Sequence, residues 1–496
     1  MAKHHLHSRS FDLSQIAHQA MLESGFSPDM PPSVIAELAT IKTAPDRNLP
    51  SVRDLRSLLW SSIDDAKTRD LDQVEYVEPL PDGKLRVLVG IADVDARVAQ
   101  DSATDAQAKL NTTSIYTGVR TFPMLPEELS TDLTSLRQDA DRTAIVTEML
   151  VGTDGNVQQT EVYQAQVRNY GKLSYEAVGA WLDGHGEIPA TVAETPKLET
   201  QIRLQSEAAK HLRELRRKNG ALELETIQAT PVINHTGQIT DLASVQRNGA
   251  RDLIENFMIA ANVAMAEFLE AKGVACLRRV VHTPKYWSRI VEIARDFGEV
   301  LPAEPNSRAL ADFMLQRKAD DPLHFPDLSL SVVKLLGPGE YTVQTPDKLS
   351  EGHFGLAVND YTHSTAPNRR YADLVTQRLV KAALIDASAP YSADELRTIA
   401  AHCTEREGAA RKVERKMRKA AAAVLLSDRI GSEFTAIVTG VSEKGTFVRL
   451  IEPIADGIVR RGQEGLRVGD KVRVQLLSTD PERGFIDFAR VAKSHG

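Results

Sequence analysis

Asp64, Asp65, Asp70 and Asp72 fall within nine residues of one another in the stretch SSIDDAKTRDLDQV. So many carboxylates in so short a span suit a hard divalent cation, because Mg²⁺ takes oxygen donors in octahedral array and fills its remaining positions with water and substrate phosphate. An EF-hand is excluded, since the spacing is wrong and the turn glycine is absent. The plain alternative is a solvated acidic loop. A fifth acid, Asp93, ends the apolar run in LRVLVGIADVD, and α/β active sites gather at such strand ends.

The elements that must position these acids follow from the hydrophobic pattern. Phe11, Leu13, Ile16, Ala17, Ala20 and Met21, then Val34, Ile35 and Leu38, have helical spacing on either side of the turn-like SPDMPPS, which predicts a small helical module over residues 1–50, of a size that suits a helix-turn-helix. The continuous apolar run from about residue 84 predicts a buried strand. Helices are expected over 197–218, 251–271, 370–384 and 391–426. The block 51–427 therefore reads as one mixed α+β unit. From Gly431 the pattern changes to short alternating strands divided by Gly and Asp turns, so 431–496 is expected to be an all-β OB-fold barrel, the commonest small barrel that grips single strands.

Composition narrows the function classes. No apolar run approaches the roughly 20 residues that span a bilayer, so no membrane role is expected. The two cysteines, Cys276 and Cys403, cannot make a disulfide framework or a cysteine zinc site, and the N-terminus lacks signal-peptide layout. A cytoplasmic location is the expectation. The net charge of −8 argues at first against a polyanionic partner. It is unevenly spread: residues 401–496 hold 18 Lys/Arg against 13 Asp/Glu, while the first 400 residues hold 42 against 55. A mildly basic end thus follows an acidic body.

Five stretches, in order, carry a resemblance: SSIDDAKTRDLDQV, LRVLVGIADVDARV, NTTSIYTGVRTFPMLPEELSTDLTSL, LIENFMIAANVAMA and HFGLAVNDYTHSTAPNRRYADLVTQR. Together they resemble the RNB catalytic domain of the ribonuclease II and ribonuclease R family, and the C-terminal barrel is similar to the S1-type RNA-binding domain that follows it there. The resemblance implies a metal-dependent, hydrolytic 3′-to-5′ exoribonuclease of the ribonuclease II type. It would use Mg²⁺ or Mn²⁺, act as a monomer on the 3′ single-stranded ends of RNA, and release nucleoside 5′-monophosphates. It places Asp64, Asp70 and Asp72 on three of the family's four acidic positions, with Asp72 most directly tied to catalysis. Arg369 falls on the arginine that braces the scissile phosphate and Arg370 on its basic neighbour; planar guanidinium groups suit phosphate oxygens and the added charge of the transition state. Tyr116 resembles the tyrosine that packs on the terminal nucleotides. Glu255, Asn262 and Glu414 match helix positions that line the RNA channel, where a carboxylate can meet ribose hydroxyls.

The departures are as informative. The family has Asp-x-Asp-Asp where this chain has Asp70-Leu71-Asp72-Gln73, so the fourth ligand position carries an uncharged amide, and Asp65 and Asp93 are the carboxylates that could compensate. Ala366, Asn368 and Gln377 depart from the arginine-bearing signature, and Leu224 stands where some members carry a second stacking aromatic. His282 and His353 are read as structural rather than as metal ligands. Some 50 residues precede the catalytic stretch, too few for the two cold-shock domains usual in the family, so a different and wider cover over the channel entrance, admitting structured RNA, is expected. The competing readings are a catalytically weakened RNA-binding or regulatory protein on this scaffold and a nuclease that prefers DNA.

Overall fold

Leu85–Ala92 forms a strand buried on both sides, and the two sides serve two cores. Val87, Val89 and Ile91 point into one, with Ile63, Val77, Met149 and the helices Leu198–Lys218 and Gly249–Ala271. Leu88 and Ala92 point into the other, with Val74, Val146 and the helices Tyr371–Leu384 and Ala393–Leu426. A strand covered on both faces has no reason to alternate, hence its continuous apolar run. The chain is seen here in a computed structural model that describes residues 11–227, 229–234, 238–244, 247–347 and 351–491. Residues 1–10 of the expected helical module and 492–496 of the expected barrel segment lie outside the described residues.

The central strand pairs antiparallel with Gln73–Pro79 on one side and Asp141–Val151 on the other. The 18-residue strand Val157–Ser174 pairs antiparallel with Asp141–Val151 and parallel with Trp60–Asp64. Trp60–Asp64 in turn meets Gln73–Pro79 with Ser61 opposite Glu75. The acidic loop is therefore the connection between two antiparallel strands, and the return of the chain brings Asp72 and Gln73 back to the level of Asp64.

The N-terminal helices Leu13–Glu23 and Pro32–Thr43 form where the spacing predicts them. They do not make a compact helix-turn-helix. Leu13, Ala17, Ala20 and Met21 pack on Ala410, Val413 and Met417 of the long helix, while Ile41 and Leu38 join the main core. Arg406 fixes the turn between them, bonding the carbonyls of Ser24 (3.1 Å) and Gly25 (2.7 Å) with its guanidinium 3.8 Å from the Phe26 ring centre.

The long helix Ala393–Leu426 begins at a capping box made by Ser392 and Glu395. At its other end Ala422, Ala423 and Leu426 join the core of a closed five-stranded barrel of Glu433–Ser442, Gly445–Leu450, Asp456–Arg461, Phe485–Arg490 and Lys471–Asp480. A buried ion pair, Arg449 to Asp327 at 2.8 Å, ties the barrel to the helix Phe325–Leu336. The chain is thus a mixed α/β body with an N-terminal helical segment and a C-terminal OB-like barrel. Among the described residues no helix is long and apolar enough to cross a membrane.

Candidate active site

Asp72 precedes its strand and is only 3% exposed. Its loop is pinned from below: Ser135 Oγ accepts the Leu71 N–H at 3.0 Å and donates to the Arg69 carbonyl at 2.7 Å. Burial pushes the Asp72 carboxyl up to about 7, with the charge of Arg369 only partly offsetting it. Asp64, half-buried at the end of its strand, is pushed up to about 6 by the same cause, against a 3.2 Å hydrogen bond from Gln73 Nε2 to its Oδ1. Asp70 is also raised by burial, while Arg369 and a hydrogen bond with Tyr116 pull the other way.

The second half of the site is the turn 364–370. Asn368 donates its backbone N–H to Asp72 Oδ1 at 3.2 Å, and Arg369 Nε lies 3.3 Å from Asp72 Oδ2. Thr134 Oγ1 donates to Asn368 Oδ1 at 2.6 Å, which makes the departure at 368 part of the turn's support. Gln377 is likewise accommodated, donating to the Ala92 carbonyl at 2.8 Å and accepting the Asp95 N–H at 2.9 Å. The turn rests on Asn262, whose Oδ1 accepts from both the N–H and hydroxyl of Ser364 at 2.8 and 2.9 Å. Asn262 is 2% exposed, and the structure seats it directly beneath the turn. Arg370 is clamped by both oxygens of Asp373 at 2.6 and 2.8 Å, so it too stiffens the turn.

Two more segments converge here. Ser114 donates its N–H to the Arg369 carbonyl at 3.0 Å, and Tyr371 donates its own to Thr112 at 2.8 Å. This tie carries Tyr116 to the acidic loop, where burial and the neighbouring Asp70 and Asp72 charges raise its phenol against the pull of Arg369. The residue as a whole remains 44% exposed. Glu414 Oε1, from the long helix, accepts the Tyr116 N–H at 3.2 Å. Glu255 lies farther along, paired with Arg247 at 3.0 Å. Leu224 packs against the satellite core around Trp287 and Phe325.

The two expected compensating acids lie elsewhere in function. Asp65 is 62% exposed and paired with Arg251 at 2.7 Å. Asp93 is buried in an ion cluster, 3.0 Å from Lys381 Nζ and bonded to Gln164 at 2.5 Å. The end-of-strand position is real, but the lysine of a packed helix captures the carboxylate. His282 is bridged by Glu340 and Glu351, each at 2.7 Å, and His353 accepts the Leu356 N–H at 3.1 Å. What the sequence reading missed is Glu75, fully buried on the strand that carries Gln73.

Among the described residues no three His, Cys, Asp or Glu side chains converge closely enough to hold a metal ion by themselves. The donor set still fits a hydrated Mg²⁺ or Mn²⁺. It is all oxygen, Asp64 Oδ2 is buried with no hydrogen-bond partner, and such an ion needs only one or two protein carboxylates beside water and phosphate.

Residues 52–386 match the RNB domain. The chain belongs to the RNB family. The acidic loop, Tyr116 and the arginine turn all lie within the RNB match, and residues 432–491, the barrel, match the RNase II-type exonuclease C-terminal S1 domain. Ribonuclease R of Aquifex aeolicus is 30% identical over 489 residues, which cover 93% of this chain and 68% of that protein. RNase R of Mycoplasma genitalium, in complex with ribose methylated single-stranded RNA, has the same RNB fold with a TM-score of 0.86 at 24% identity, covering 97% of this chain and 78% of that one. Yeast Ssd1, described as a pseudonuclease, shares the fold with a TM-score of 0.68 at 17% identity, over 90% of this chain and 56% of its own.

Proposed function

We propose that the protein is a metal-dependent, hydrolytic 3′-to-5′ exoribonuclease that shortens single-stranded RNA from its 3′ end and releases nucleoside 5′-monophosphates. The observation that carries this is the opposition of Arg369 to the buried Asp72 at 3.3 Å, beside Asp64 and Asp70. A phosphodiester is protected from water by its own charge. When bound, Mg²⁺ or Mn²⁺ supplies charge screening and acidifies a water molecule. Asp64, Asp70 and Asp72 would hold it, one or two of them directly and the rest through its water, with the Gln73 amide oxygen as a neutral donor.

The chain's own groups do the rest. Arg369 aims a planar donor at the non-bridging oxygens and meets the charge that grows on them in the transition state. Tyr116 stacks the terminal base without reading sequence. Glu255, on a helix position matched to the family's RNA channel, offers a carboxylate to ribose hydroxyls, the contact that would separate RNA from DNA. The barrel presents Phe447 at 37% exposure, and basic side chains of the same domain neutralise phosphates along the strand.

Incubating a 5′-labelled single-stranded RNA with the protein and Mg²⁺ or Mn²⁺ tests this reading. A shortening ladder with mononucleotide product is expected, and a parallel single-stranded DNA should persist. A second reading, an RNA-binding protein with weakened catalysis, is favoured by one observation: Gln73 carries no charge and occupies Asp64 Oδ1 with its amide. Tight RNA binding with no ladder in either metal would establish it.

A further inference from the structure

Gln73 and Glu75 are alternate residues of one strand, so both side chains lie on the same side of the sheet as Val77. That side is covered by the helices Leu198–Lys218 and Gly249–Ala271. Glu75 is 0% exposed, and neither of its carboxylate oxygens has a hydrogen-bond partner. Asp64 lies beside this pair, since Gln73, the next residue on the same side of the strand, donates its Nε2 to Asp64 Oδ1 at 3.2 Å. Asp64 Oδ2 is also buried and unpartnered. Gln205 approaches, but its Nε2 goes to the Ser61 hydroxyl and the Glu75 backbone carbonyl, both at 3.2 Å, and not to the Glu75 side chain.

Three buried, unpartnered carboxylate oxygens, two on the fully buried Glu75 and one on its half-buried neighbour Asp64, make an arrangement that low dielectric punishes. A cation removes the penalty, and an apolar residue at 75 would have avoided it. The position sits one strand repeat from the place where the family's fourth acid is missing. Arg369, whose charge reaches Asp64, is engaged with Asp72 at 3.3 Å, and Arg251 with Asp65 at 2.7 Å and Glu176 at 3.3 Å.

We propose that Glu75 supplies the negative charge that Gln73 lacks, so that a divalent cation is held on the Asp64 side of the site between the Asp64 and Glu75 carboxylates. The acid has been relocated by one step of the strand rather than lost. Gln73 then serves as the hinge of the pair, turning its amide oxygen toward the ion when the ion is present. This inference rests on the metal-dependent reading above and adds to it a ligand that its acidic motif does not contain.

The test is the affinity of the RNA-free full-length protein for Mn²⁺ at pH 8, by calorimetry or by the electron paramagnetic resonance signal of free Mn²⁺. Glu75→Gln should weaken binding by about tenfold or more, and adding Gln73→Asp to it should restore much of the loss. Thermal melts in chelator verify that each variant is folded. If Glu75→Gln does not fold, Glu75→Leu, which fills the same space with an apolar chain, takes the same measurement. Unchanged Mn²⁺ affinity in these variants overturns the inference and leaves Glu75 as a neutral buried acid. Absence of Mn²⁺ binding in the unsubstituted protein overturns the metal-dependent reading along with it.

Discussion

Arg369 Nε stands 3.3 Å from Oδ2 of Asp72, while the backbone N–H of Asn368 holds the other oxygen of the same carboxylate at 3.2 Å. One turn thus grips both oxygens of the most buried acid of the loop. The arginine side chain is 43% exposed, so its fork can address an incoming phosphate while its Nε keeps the acid oriented.

Asp72→Asn keeps an oxygen for the Asn368 N–H but removes the charge. Mononucleotide release should fall by ~10²-fold or more, while the affinity for single-stranded RNA stays nearly unchanged. Single-turnover cleavage and a filter-binding isotherm on the same preparation separate the two effects. Near-normal turnover would sink the assignment of Asp72.

Arg369→Lys retains one positive charge and loses the planar fork. Turnover should drop by roughly 10² to 10³-fold, the scale seen when a transition-state donor is removed, with a much smaller change in KM. A loss confined to KM would mean that the arginine only binds substrate.

Tyr116→Ala should weaken the grip on the last nucleotides by about 1–3 kcal/mol and leave longer end products. Tyr116→Phe removes only the hydroxyl beside Asp70 and should trim nearly as far as the original protein. Gel analysis of limit products checks both, and equal shifts in the two variants would contradict a stacking role.

His353 predicts an acid limit to stability. Burial, with Arg279 nearby, lowers its imidazole to about 4, whereas an unfolded histidine titrates near ~6.5. Stability from this group is therefore present above pH ~6.5 and is lost as pH falls toward the folded value, a change on the order of 1–3 kcal/mol. His353→Asn keeps an acceptor for the Leu356 N–H and should lose less stability between pH 7 and 5 in urea titrations. Identical pH slopes would refute the account.

Much of the site was legible because its acids and arginines sit at loop ends whose strands and helices have clear periodicity. Asp64, Asp70, Asp72 and Arg369 come together as their spacing and the family resemblance imply. The resemblance matches Asn262 to a helix position of the RNA channel but says nothing of the Ser364 turn packed above it, which only the fold reveals. Asp93 misled because the strand-end rule says nothing of Lys381, 288 residues away. Glu75 escaped for the opposite reason: a glutamate at an alternate strand position looks solvent-facing until the helix Leu198–Lys218 closes over the strand. Gln377 looked like decay in the motif, and its two backbone hydrogen bonds make it a strut between the central strand and the arginine-bearing helix.

The long helix Ala393–Leu426, ~50 Å from end to end, has a practical consequence for anyone dissecting the protein. It carries the first helix on its flank, steadies Tyr116 through Glu414 and seats the barrel on Ala422, Ala423 and Leu426. Cutting the chain after residue 430 would not yield a clean catalytic fragment. It would bare an oily helix tip to water and invite self-association, so loss of activity in such a truncation would report a damaged spindle as much as a missing RNA grip.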